Sequence, residues 1–136
     1  MTMRIDVVQP PGWAKPKGYA NGVLVKDPSR FVYTAGQVAW DEDQNLVGEG
    51  DFVAQFGQAL ANVLAVVREA GGMAQHLVRL TMYVTDKQAY LDHAKELGPV
   101  YRERMGGHYP AMAMVEVKGL LEPGAMIEIE GTAALP

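Results

Sequence analysis

At 136 residues, with 49% hydrophobic and 21% charged side chains, the chain has room for one domain around one core and the composition of an ordinary globular protein, which excludes disordered and fibrous architectures. The net charge of −4, with no cluster of Lys and Arg, opposes binding to a phosphate backbone, so no nucleic-acid partner is expected. Cysteine is absent, which removes disulfides and thiolate chemistry, and the three histidines His76, His93 and His108 lack ligand spacing, so a metal site is not expected.

The first segment, Met1 to Pro11, carries Arg4 and Asp6 and has no long apolar run before a small-residue cleavage site, so it does not read as a secretory leader and a cytoplasmic location is expected. Met3 to Val8, Gly22 to Lys26 and Phe31 to Trp40 read as strands, separated by turn residues at Pro10-Pro11-Gly12 and Asp27-Pro28-Ser29 and expected to pair as a meander. From Asp51 to Ala70, the residues Phe52, Phe56, Leu60, Val63, Leu64 and Val67 recur at three- and four-residue intervals, which predicts a helix capped by Asp51 and ended by Gly71. Gln55, Gln58 and Asn62 interrupt this stretch, and no segment reaches the roughly 18 to 20 apolar residues of a membrane span.

Leu77 to Thr85 is again β-branched and aromatic, and Asp86 is placed to cap a second helix from Lys87 to about Met105, with Pro99 as a kink or a residue near a break. Ala111 to Lys118 and Met126 to Ala134 complete the order βββαβαββ, an α+β arrangement with one mixed sheet and two helices on one face. In Ala111 to Lys118 the odd positions Ala111, Ala113, Val115 and Val117 suit the helix-covered face, leaving Met112 and Met114, with Met126 expected on the neighbouring strand, on the other. An apolar second face on so small a protein points to coverage by other subunits.

An ordered series of motifs spans about 120 residues: Gly18-Tyr19-Ala20-Asn21-Gly22, Tyr33-Thr34-Ala35-Gly36-Gln37, Gln55 with Asn62-Val63, Ala70-Gly71, Val78 to Asp86, Tyr109-Pro110-Ala111-Met112 and Ile127-Glu128-Ile129-Glu130. This series resembles the Rid family (YjgF, endoribonuclease L-PSP), whose corresponding motifs include G-P-Y-S-Q-A, S-G-Q, F-P-A-R and I-E-I-E. The resemblance implies a chorismate-mutase-like fold, a homotrimer whose sheets form a central barrel, and small-molecule clefts between subunits. It also implies hydrolysis of reactive enamines and imines to the 2-oxo acid and ammonia, without a cofactor.

By the same resemblance, Glu128 corresponds to the residue that handles the proton and the catalytic water, and Tyr19, Gly36, Gln37, His108, Tyr109 and Met112 line the ligand cleft. The family's carboxylate clamp is the arginine of P-A-R, and here that position is Met112, which has neither charge nor N–H donor. The family's asparagine on the second helix is also missing, with Ala94 nearest in register. Lys15, Lys17 and Arg79 are candidates for a relocated cation, and an apolar cleft suits an aromatic or uncharged ligand better than a small carboxylate. Three functions follow for comparison: a Rid-like hydrolase with a changed substrate, a non-catalytic trimer that binds a small molecule or a protein, and a ribonuclease, which the acidic balance opposes.

Overall fold

The computed structural model describes residues 2–136 and has α+β architecture. Strands β1 (Arg4–Val8) and β2 (Gly22–Lys26) form an antiparallel ribbon, while β3 (Arg30–Tyr33), β4 (Leu77–Val84), β5 (Ala111–Glu116) and β6 (Ile127–Leu135) form a mixed sheet in the order β3-β6-β4-β5. The expected meander is not formed, because β3 pairs with β6 rather than β2. The third strand is also shorter than expected. Thr34 Oγ1 accepts the Gly131 N–H, and the chain regains β6 only at the Gln37–Ile129 bridge, so a bulge containing Ala35 and Gly36 replaces regular pairing.

Helix α1 (Phe52–Glu69) matches its sequence pattern: Asp51 accepts the Ala54 N–H at 3.1 Å, and Gly71 follows the helix at φ 94°. Its apolar stripe, from Phe52 through Val67, is fully buried against the sheet and the last helix. Each such large side chain contributes about 1.5–3 kcal/mol on burial. The expected second helix is two helices, α2 (Lys87–Asp92) and α3 (Ala94–Met105). The break lies at His93, where the backbone leaves helical geometry and the ring Nδ1 bonds the Ala89 carbonyl at 2.7 Å, and Pro99 lies inside α3. No helix among the described residues is long and apolar enough to cross a membrane.

The faces of β5 are the reverse of the expectation. Parallel pairing sets Met112 beside Leu80 and Met114 beside Met82, so both methionines share the helix-covered face with buried core residues. Neighbouring residues in register point to the same side of a sheet, and a one-residue difference exchanges every side chain between faces. Ala111, Ala113 and Val115 therefore lie with Arg79, Thr81 and Tyr83 on the opposite face, which no helix among the described residues covers.

Candidate functional site

A cavity of about 400 Å³ opens on the helix side of β5. Its floor is Met112 and Met114, next to Met82 of β4, and its wall is one stripe of α3, Ala94, Gly98 and Arg102, at the four-residue spacing that stacks side chains on one helix face. Ala94 and Gly98 leave the helix surface open. A Cβ on Gly98 would stand 3.3 Å from Arg102 Nη1, so the guanidinium folds back over the glycine. The loop bearing Lys17 and Tyr19 closes another side, pinned to the start of β5 by the Ala20 N–H to Pro110 carbonyl bond of 3.0 Å and the Ala20–Ala111 bridge.

Two tyrosines supply a flat end to the cavity: Tyr101 and Tyr109 stack with centroids 4.9 Å apart and planes at 10°. The Tyr101 hydroxyl donates to the His108 carbonyl at 2.6 Å, and burial, with a smaller contribution from Tyr109, raises it well above the ordinary phenol range. It is a fixed structural donor rather than an acid or base near neutrality. No Asp or Glu lines the cavity, whereas Lys17 and Arg102 do.

Glu128 lies on the other face of the sheet. It alternates on β6 with buried Ile127 and Ile129 and shares its side with Glu130. Glu130 accepts the Tyr83 hydroxyl at 2.6 Å, which raises the phenol above its ordinary range, whereas Glu128 has no hydrogen bond among the described residues. The Glu128 carboxyl packs where a Gly36 side chain would be: a Cβ there would lie 2.7 Å from its Cδ and Oε2. Gln37 continues this wall through paired backbone bonds with Ile129 of 2.8 and 2.9 Å, and its side chain reaches the Ala35 carbonyl at 3.4 Å.

The expected site residues thus fall into two groups. Tyr19, Tyr109 and Met112 meet at the helix-side cavity, and Gly36, Gln37 and Glu128 meet on the opposite face. His108 is half-buried between β4 and the cavity loop, and its Nε2 bonds the Leu77 carbonyl at 2.6 Å, so that ring atom is committed to the fold. Of the candidate cations, Lys17 lines the cavity, Lys15 lies in a neighbouring depression and Arg79 lies on the opposite face near Glu130. Arg102 and Tyr90 were not anticipated as cavity residues; the Ala94, Gly98, Arg102 spacing is the pattern that reveals the first of them. Among the described residues no group of His, Asp and Glu is arranged to hold a metal ion.

Residues 14–135 match the family model described as Endoribonuclease L-PSP. A RutC family protein from Pyrococcus abyssi is 31% identical over 120 residues, covering 88% of each chain. Among solved structures, the Rid family protein YyfB from Yersinia pestis has a TM-score of 0.85 at 34% identity, covering 96% of this chain and 98% of its own. The YjgF gene product of E. coli has a TM-score of 0.65 at 28% identity over 85% of this chain and 87% of its own.

Proposed function

Since this chain belongs to the Rid (YjgF, endoribonuclease L-PSP) family, we propose that it is an enamine/imine deaminase-type hydrolase whose substrate is a reactive metabolite other than a small 2-imino acid. The observation that carries this reading is Met112, half-buried in the cavity beside Tyr19 and Tyr109 where the family's F-P-A-R motif has its arginine. A methionine cannot replace a bidentate clamp, and loss of two charge-assisted hydrogen bonds forfeits on the order of 3 kcal/mol of carboxylate binding. The reaction itself survives that change. Water adds to the carbon of the C=N bond while the nitrogen takes a proton, and the C–N bond then breaks to give a carbonyl and ammonia.

Glu128 is the group proposed to hold the water and return the proton. It is unpartnered among the described residues, and its carboxyl is seated against Gly36. Because it lies across the sheet from the cavity of its own chain, the proposed site joins the cavity of one copy to Glu128 of another. A trimer with clefts between subunits meets that requirement. Supporting it, the sheet face outside the helices leaves Phe31 51%, Tyr33 74% and Val115 45% exposed, more apolar surface than a solvated face of a small protein needs.

The test is release of ammonia from a panel of imines of increasing apolar size, generated in place by an amino-acid oxidase. Turnover of larger members that vanishes in Glu128→Gln supports the hydrolase. Binding without turnover across the panel would replace it with a non-catalytic metabolite-binding trimer.

A further inference from the structure

Resting on the placement of the ligand in the helix-side cavity, we propose that the site takes a monocarboxylate with a flat apolar body, and that Arg102, assisted by Lys17, holds the carboxylate in place of the missing strand arginine. The charge distribution argues for this first. The chain carries −4 overall, yet the cavity is lined by two cations and no acid. The ion pairs among the described residues are Arg4 with Asp6 and Arg104 with Glu103, so neither Lys17 nor Arg102 has an acidic partner among them.

The position of the guanidinium argues second. Arg102 lies over Gly98, the one α3 residue whose lack of a side chain admits it, on the same stripe as Ala94. A planar guanidinium gives two parallel N–H donors to a carboxylate, and the lysine ammonium adds a further donor across the opening. The rest of the cavity sets the body of the ligand. Met112, Met114 and Leu97 present polarizable and aliphatic surface, and the stacked Tyr101 and Tyr109 rings present an aromatic end. A volume of about 400 Å³ accommodates a phenyl-sized group and its chain. A small acid would reach the cations and leave that apolar surface wet.

The probes are 3-phenylpropanoate, its neutral amide and propanoate, titrated calorimetrically into the protein in its native oligomeric state. The expected result is that phenylpropanoate binds roughly tenfold or more tighter than either control, the ratio that one charge-assisted contact and one buried ring each provide. Arg102→Gln, on an exposed helix position, should remove most of the preference for acid over amide. Gly98→Val, which pushes the guanidinium aside, should do the same, and Lys17→Gln should give a smaller loss. Equal affinity for acid and amide, or an acid preference that survives Arg102→Gln, overturns the proposal. Acid-selective binding lost in Arg102→Gln, with no turnover of any imine, sustains it and sinks the hydrolase reading alone.

Discussion

At the scale of single residues, Met112 and Gly36 carry the sharpest consequences. Wild-type protein should hydrolyse 2-iminopropanoate barely above the uncatalysed rate, and Met112→Arg should raise that rate in part. The gain is partial because Ala94 leaves a second gap and an arginine introduced without supporting hydrogen bonds is imprecisely held. Stopped assays comparing the two proteins check this, and wild-type activity equal to that of an arginine-bearing relative contradicts it. Gly36→Ala places a methyl group on the Glu128 carboxyl. The glutamate end is flexible, so the variant should fold with a melting temperature close to wild type, yet turnover of the best imine should drop at least about tenfold as the carboxyl is displaced. Tyr19, Tyr109 and Met112, which line the helix-side cavity, were legible in the sequence only through the short local motifs of the family resemblance. Arg102 was not, since an exposed arginine on a helix reads as a solvated charge until the cavity beside it is known.

At the scale of elements, α1 was read correctly from its start at Asp51 to Gly71 because caps and a 3.6-residue period are written in consecutive residues. The faces of β5 were not, for a physical reason: both faces of that strand are apolar, so alternation alone cannot say which one meets the helices. Register with β4, a partner some thirty positions earlier in the chain, decides it. Gln55 on α1 ties distant segments together. Fully buried, its amide donates to the Gly48 and Gly124 carbonyls, both at 3.1 Å, and accepts the Met126 N–H at 2.8 Å. Gln55→Leu leaves those backbone groups unpaired and should cost about 3 kcal/mol or more in urea unfolding.

The short 3₁₀ turn at Ala74–His76, which leads into β4, carries a pH dependence. His76 Nδ1 accepts the Met73 N–H at 2.9 Å, and desolvation, with a smaller effect of His108, lowers its pKa from 6.5. The unfolded chain then binds the proton more tightly, so stability is present above 6.5 and falls as the pH drops through the lowered folded value. His76→Asn keeps an acceptor without titrating. Its denaturation midpoint should therefore change less than that of wild type between about pH 7.5 and about pH 5.5.

At the scale of the whole molecule, the sequence pattern pointed to an apolar second face and to assembly, but named the wrong methionines for it. The uncovered face carries Phe31, Tyr33 and Val115 instead. Sedimentation equilibrium should give three times the 14.8 kDa of one chain, and a stable monomer at micromolar concentration contradicts the assembly. The central claim is that the cavity of one copy works with Glu128 of another, and mixing two inactive variants tests it most directly. Glu128→Gln keeps its cavity but lacks the carboxyl, and Ala94→Trp keeps the carboxyl but has its cavity filled. Random mixed trimers pair an intact cavity with an intact Glu128 at about a quarter of their sites, so co-refolded mixtures should recover roughly that share of wild-type turnover. Mixed trimers seen by native mass spectrometry with no recovered activity would contradict the account.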